Sequence, residues 1–395
     1  MTPAARLSAA IEVLDLHLSG TPVEKALTNW ARRSRFAGSK DRAALRDIVF
    51  GCLRRRASLC HASGARSGRG LVAGYAALEA SRAEVEALFN GEGHAPAPLT
   101  EAEAEALFGP ERARDDEATY DLPAWLIPDF SASLGQDALD VAQRLRDRAP
   151  VFLRVNLSRL SRAEAVRLLA KDGIVAEPHE TVATALRVTE NPRRVAQSPL
   201  YLKGLIELQD ASSQAVCAGL PEAEKMLDYC AGGGGKVLAY GARSAASLYA
   251  HDANPARLSD LAERAKRAKL TIKTVETSAC HTAGPFDLVL VDAPCSGSGT
   301  WRRAPEAKWS LTPDSLNDLL AVQADILDAA AALVAEGGCL AYATCSVLDA
   351  ENIQQVQSLL ARSSDLDLVH HDRLLPSQSG DGFFVAHLTK RATAS

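Results

Sequence analysis

After Asp210 the sequence alternates strand-like and helix-like segments. MLDYCA, SLYAHDA, TIKTVET, FDLVLVDAP, CLAYATCS, LDLVHH and FFVAHLT read as strands, with helices such as NPARLSDLAERAKRAK, TPDSLNDLLAVQADILDAAAALV and AENIQQVQSLLARS between them. Seven strands with crossover helices imply an α/β, doubly wound, Rossmann-like sheet that binds its ligands at the carboxyl ends of the strands. Chemistry is therefore expected in the turns that follow strands.

The full 395 residues leave room for further domains. Residues 1–145 read as all-α: Leu7, Ala10, Ile11 and Leu14 recur at helical spacing, as do Ala44, Leu45, Ile48, Val49 and Cys52 after Asp41, a candidate N-cap. Between about 60 and 120 the chain is rich in Ala, Gly and acid, so short helices with loose connections are expected there. Residues 150–205 carry the strand-like VFLRVNL and ALRVTE around the helix SRAEAVRLLAKDGI, a small α+β subdomain. Residues 206–395 hold the Rossmann-like domain.

The net charge of −5 hides local asymmetry. Residues 1–56 hold 11 basic and 5 acidic side chains, a net +6; residues 57–121 hold 5 and 12, a net −7; residues 144–203 hold 12 and 6, a net +6. Basic zones of this size hold a phosphate backbone by releasing counterions, although salt-bridged helical faces produce the same count. No run is long and apolar enough for a spanning helix, and MTPAARLSAAIEVL lacks the apolar core of a signal peptide, so a cytoplasmic protein with no membrane partner is expected. The eight cysteines form no CxxC pair, which points away from a disulfide framework and from a bound metal. Any cysteine that matters here matters as a thiol.

Two strand-end turns carry the chemistry. In Asp228-Tyr-Cys-Ala-Gly-Gly-Gly-Gly-Lys236 the glycines let backbone N–H groups approach a nucleotide-type ligand, and Lys236 is followed by Val237, which excludes a magnesium-binding P-loop. Asp252, after the next strand, is placed to accept hydrogen bonds from ribose hydroxyls; its alternative is a helix N-cap before Pro255. Further on, the buried run Leu288 to Val291 ends at Asp292 and a proline-stiffened turn presents Cys295; one strand later Tyr342-Ala-Thr-Cys345-Ser presents a second thiol. Arg302, Arg303 and Lys308 are expected at a phosphate chain, and Trp301 and Trp309 as stacking faces for unpaired bases. Cys52, Cys60, Cys217, Cys230, Cys280 and Cys339 read as inert.

The stretches LDYCAGGGGK, DAPCSGSGTWRRAPEAKW, GGCLAYATCS, AENIQQV and DGFFVAHL, with QDASSQ and LRVN upstream, closely resemble those of RNA 5-methylcytosine methyltransferases of the RsmB/NOP/Sun type. SRFAGSKDRAALRDIVFGCLRRR resembles the NusB-like RNA-binding domain of the bacterial small-subunit rRNA members. The resemblance implies a seven-stranded methyltransferase domain at 206–395, an RNA-binding α+β subdomain at 150–205 and a NusB-like domain at 1–145. It also implies S-adenosylmethionine as cofactor and RNA, most readily 16S rRNA, as partner, with the protein acting as a monomer. Carbon 5 of cytosine is a poor nucleophile, so covalent attack at C6 is needed to push electron density onto it. By the family's motifs Cys345 is that nucleophile and Cys295 assists loss of the C5 proton and release of product. Asp292 hydrogen-bonds the cytosine edge and Lys236 brings positive charge that lowers a thiol pKa. Cofactor contacts fall on Cys230, Ala231, Gly232, Gly233, Gly234, Gly235, Lys236, Asp252, Arg257 and Asp292.

Two departures from the family pattern bear on cofactor affinity. Gly232 and Gly233 replace Ala-Pro, which lowers loop preorganisation by about 1 kcal/mol per glycine. Thr277 and Ser278 stand where the family has an acid near the adenine. A tRNA substrate and a catalytically silent, RNA-binding assembly factor are the alternatives. The NusB-like domain speaks against the first, and the intact pair Cys295 and Cys345 against the second.

Overall fold

The computed structural model describes residues 1–110 and 112–392. Its contacts divide the chain into two units, Met1–Arg148 with Trp301–Ser310, and Ala149–Thr300 with the chain from Leu311 onward.

The first unit is helical, opening with α1 (Pro3–Leu18), α2 (Val23–Arg33), α3 (Ser39–Arg54), α4 (Arg56–Ser63) and α5 (Gly68–Ala76). Leu7, Ala10 and Leu14 of α1, Trp30 of α2, Leu45, Val49 and Cys52 of α3 and Leu71 and Val72 of α5 share one core. The helical stripes read from the sequence are these buried faces. Asp41 is not the N-cap of α3: Gly38 holds that position, and Asp41 lies in the first turn, where it accepts from Arg6 Nε (3.0 Å) and Nη2 (2.8 Å). A carboxylate there still complements the helix dipole. Short helices follow at Arg82–Leu88, Glu101–Phe108 and Asp116–Tyr120. Ser81 with Glu84 and Thr100 with Glu103 close capping boxes, so part of the acidic segment serves helix starts.

Segment Trp301–Ser310 corrects an expectation. Trp301, Arg302 and Lys308 are at most 1% exposed, so they are offered neither to bases nor to phosphates. The reason lies at the C-terminus of α3, whose last carbonyls have no helical partner. Lys308 Nζ donates to Arg54 O (2.8 Å), Trp309 Nε1 donates to Leu53 O (2.7 Å), and Arg54 Nε returns a bond to Arg302 O (2.6 Å).

The second unit contains two sheets. The smaller, of order β2-β3-β1-β4, is antiparallel and is built from β1 (Val151–Val155), β2 (Val175–Pro178), β3 (Ala185–Glu190) and β4 (Ile206–Leu208). Its helix Arg162–Lys171, capped by Ser161, buries Ala165 and Leu169 against Leu153, Val155 and Ile206. The larger sheet comprises β5 (Lys225–Asp228), β6 (Ser247–Ala250), β7 (Ile272–Thr274), β8 (Phe286–Asp292), β9 (Val334–Thr344), β10 (Leu366–Leu374) and β11 (Phe383–Lys390), in the order β10-β11-β9-β8-β5-β6-β7. β5 to β9 run parallel; β11 runs antiparallel to β9 and β10. Leu288 to Val291 are fully buried, as a central parallel strand covered on both faces requires. Chain order reverses at β5, so the switch-point crevice opens beyond the ends of β5 and β8. Asp292 lies opposite Ala343, which brings the turns after β8 and β9 side by side.

Candidate active site

Cys295, three residues beyond β8, and Cys345, just beyond β9, meet with their sulfurs 3.5 Å apart. The hydrogen bond between them lowers the pKa of Cys345 against the opposing effects of burial and of Asp292, with Lys236 and Thr300 assisting. The same bond, with burial behind it, raises that of Cys295 well above the thiol range. The shared proton therefore belongs on Cys295. In all six remaining cysteines burial pushes the thiol up, to about 11 in Cys217 and Cys339. Cys345 alone among the described cysteines is shifted toward the thiolate, which is the nucleophilic form.

Beside the thiols, Lys236 Nζ pairs with Asp292 Oδ2 at 2.6 Å and lies 5.2 Å from the centre of the Phe383 ring. Burial opposes the charge on Lys236, yet Asp292 outweighs it and the ammonium is held on. Lys236 occupies the first turn of helix Gly235–Gly241, directly after the glycine run. The structure thus brings Lys236, Asp292, Cys295 and Cys345 together.

Cys230, Ala231, Gly232, Gly233, Gly234 and Gly235 form the turn from β5 into that helix. Gly234 has φ +80°, and a Cβ there would stand 2.2 Å from Leu261 Cδ1, so only glycine fits. Gly232 N donates to Asp252 Oδ2 (3.0 Å), and Arg257 Nη1 lies 3.3 Å from the same oxygen. Asp252 is not the cap of the following turn; Asn254 is, accepting from Ala256 N. The far side of the glycine loop is held by a buried residue whose role composition did not suggest: Arg154 Nη1, on β1, donates to Gly235 O and to Gln209 Oε1, both at 2.7 Å.

A cavity of about 730 Å³ opens beside this loop, lined by Asp252, Pro255, Leu258, Ala262, Glu276 and Thr277 among others. Its size is that of a small-ligand site. Thr277 and Ser278 lie on it as expected, but Glu276, one residue earlier, supplies an acid on the same wall. Asp228, at the end of β5, is 1% exposed, and its Oδ1 has no hydrogen-bond partner among the described residues; burial, with Asp292 behind it, raises its pKa to about 7. Glycine N–H groups, strand-end carboxylates and an orphaned acid oxygen fit a cationic nucleoside such as S-adenosylmethionine.

Beneath the thiols lies a buried polar cluster that the sequence reading did not single out. Glu351, fully buried, accepts from Ser296 N (2.7 Å) and Gln323 Nε2 (3.1 Å) through Oε1, and from the hydroxyls of Ser296 and Ser346 through Oε2. Ser298 Oγ lies 2.9 Å from Ser346 Oγ and accepts from Val347 N. The available signal was AENIQQV, a few residues after the second cysteine, with an acid where a strand-end turn re-enters the core.

A family model described as 16S rRNA methyltransferase RsmB/F matches residues 217–389, and one described as an RsmF/B-like ferredoxin-like domain matches residues 122–195. The ribosomal RNA small subunit methyltransferase B of Vibrio cholerae is 35% identical over 291 residues, which span 70% of this chain and 67% of that protein. The chain belongs to the RsmB/F family of rRNA methyltransferases. This methyltransferase also shares its fold with two solved structures. The protein PH0851 is 23% identical, with a TM-score of 0.76 and 99% of both chains covered. A methyltransferase homolog protein from Pyrococcus horikoshii is 25% identical, with a TM-score of 0.58 over 68% of this chain and 95% of that one. Among the described residues no helix is long and apolar enough to cross a membrane, and no group of three or more His, Cys, Asp or Glu is placed to hold a metal ion.

Proposed function

We propose that this methyltransferase methylates C5 of a cytosine in 16S rRNA, with Cys345 as the covalent nucleophile and Cys295 as the group that releases the product. The observation that carries this reading is the pair of thiols 3.5 Å apart, with opposite pKa displacements, at the ends of neighbouring parallel strands. Cys230 to Gly235, with Asp252, Arg257 and Glu276, would hold S-adenosylmethionine, which would supply an electrophilic methyl group. Cys345 sulfur bonds to C6 of the base, and the displaced ring electrons make C5 the nucleophile that would take the methyl, the sulfonium's bond to that carbon breaking with its electron pair left on sulfur. Asp292, fixed by Lys236, hydrogen-bonds the cytosine edge, while the Lys236 ammonium offsets negative charge building up on the ring.

Once the Cys345 sulfur is bonded to carbon, its hydrogen bond to Cys295, the largest influence keeping Cys295 protonated, and its charge are gone, and the Cys295 pKa falls. Cys295 then gives its own proton to solvent and, as a thiolate, takes up the C5 proton; the C6–S bond breaks with its electron pair returning to Cys345, and the aromatic ring is restored. The base must leave its stack to reach the thiols, which costs least in an unpaired segment of rRNA.

Methyl transfer from labelled S-adenosylmethionine to transcribed 16S rRNA, followed by nucleoside mass spectrometry, tests the reading. The label is expected in 5-methylcytidine. Label on another atom or another base, or transfer to tRNA in preference, would overturn it.

A further inference from the structure

The cluster under the thiols has more connections than packing requires. Each thiol is followed by a serine: Ser296 after Cys295 and Ser346 after Cys345. Both serine hydroxyls donate to the same oxygen of Glu351, each at 2.5 Å, and the Ser296 backbone N–H donates to the other at 2.7 Å. That second oxygen also accepts from Gln323, on helix Pro313–Ala332, whose amide reaches on to Pro294 O at 2.9 Å. One side chain thus links the turn after β8, the turn after β9 and the helix between them.

Four donors make a fully buried carboxylate tolerable, since a charge in the core is stable only when its lone pairs are filled. The surrounding bonds fix the anchor itself. Tyr342 hydroxyl donates to Glu351 O (2.6 Å), and Asn352 Nδ2 donates to Ser346 O (3.0 Å). Asn352 Oδ1 takes the Thr344 hydroxyl (2.5 Å). Gly299 N also donates to Cys345 O (2.9 Å), so a backbone bond joins the two turns as well.

We infer that Glu351 is the positioning residue of this active site: by gripping Ser296 and Ser346 it sets the separation and facing of the Cys295 and Cys345 sulfurs. The inference rests on the covalent reading given above for its catalytic consequence, but not for its geometry. Glu351 touches neither thiol directly. Its charge also lies near enough to Cys295 to join the Cys345 hydrogen bond and burial in keeping that thiol protonated.

Glu351→Gln keeps the shape and removes the fit. The amide nitrogen replacing one oxygen has hydrogens to give where two serine hydroxyls already donate, and Ser346 Oγ already accepts from Leu348 N at 3.0 Å. Two readouts decide. Steady-state methylation of transcribed 16S rRNA by the full chain is expected to lose about 100-fold in kcat, with KM for S-adenosylmethionine moving less than about twofold, the pattern of misplaced reacting groups. The rate at which diamide joins Cys295 to Cys345, followed by peptide mass spectrometry, is expected to fall about tenfold, because that rate reads the proximity of the sulfurs.

Should Glu351→Gln fail to fold, Ser346→Ala removes one hydroxyl and no charge, and is expected to lower both readouts in the same direction. Unchanged kcat and unchanged cross-linking in the soluble variant overturn the proposal. If the covalent reading itself is wrong, Cys345→Ala retains methylation, while the cross-linking rate still decides whether Glu351 positions the thiols.

Discussion

At the scale of single residues, environment separates eight chemically identical thiols. Cys345 receives a hydrogen bond from Cys295, which with Lys236 and Thr300 outweighs its burial; in the others burial or the neighbouring thiol prevails over any nearby cation or backbone bond. A lowered pKa means more thiolate at any pH below it, so alkylation of Cys345 by iodoacetamide should rise and level off at lower pH than the roughly 8.5 of a free cysteine. Cys295→Ala removes the largest lowering influence, so the same curve should move to higher pH. Peptide mass spectrometry of timed alkylations checks this, and an unmoved or lower curve in Cys295→Ala would contradict it. The sequence made both thiols visible through their place after apolar strand runs. It could not order them, because the ordering depends first on the direction of the hydrogen bond between the two sulfurs and then on how closely Lys236, far from both in the chain, and Glu351 approach each one. Glu351 itself passes unremarked in a sequence, since an acid at the start of a helix is ordinarily solvated.

At the scale of elements, the glycine loop is fixed on every side. Asp252 holds Gly232 N, Arg264 holds Gly233 O, Arg154 holds Gly235 O, and Asp228 accepts from Val237 N. Ties of this number limit the slack expected from two additional glycines. Gly234→Ala forces a left-handed φ and a clash with Leu261, and should lower stability by about 1 to 3 kcal/mol, read by denaturant unfolding. It should also raise KM for S-adenosylmethionine; a variant as stable as the parent with unchanged KM would show the conformation is not required. The sheet was legible because parallel strands covered on both faces must be continuously apolar, as Leu288 to Val291 are. Trp301, Arg302 and Lys308 were not, because charged and aromatic residues after a strand-end turn look exposed in sequence. Their burial depends on unpaired carbonyls at the end of α3, some 250 residues earlier.

At the scale of the whole molecule, the basic excess of residues 1–56 resolves into two kinds of charge. Arg33 and Arg46 are engaged by Glu12 and Glu24, whereas Arg32, Arg35 and Lys40 are exposed, with no ion pair among the described residues. Removing the segment outright would destroy the core that Leu14, Trp30, Leu45 and Val49 build, so substitution is the sharper test. Replacing Arg32, Arg35 and Lys40 by Gln should weaken RNA binding and reduce the slope of log affinity against log salt by about 2 to 3 if all three neutralise phosphates. An unchanged slope in filter-binding titrations would assign this zone a purely structural role.

The central claim is that Cys345 attacks the base and Cys295 lets it go. Incubating Cys295→Ala protein with 16S rRNA and S-adenosylmethionine, then digesting the species that survives a denaturing gel, measures this directly. A nucleotide adduct on the peptide carrying Cys345 is the predicted result, with none from Cys345→Ala protein. An adduct that forms in Cys345→Ala protein and maps to Cys295 would contradict the assignment.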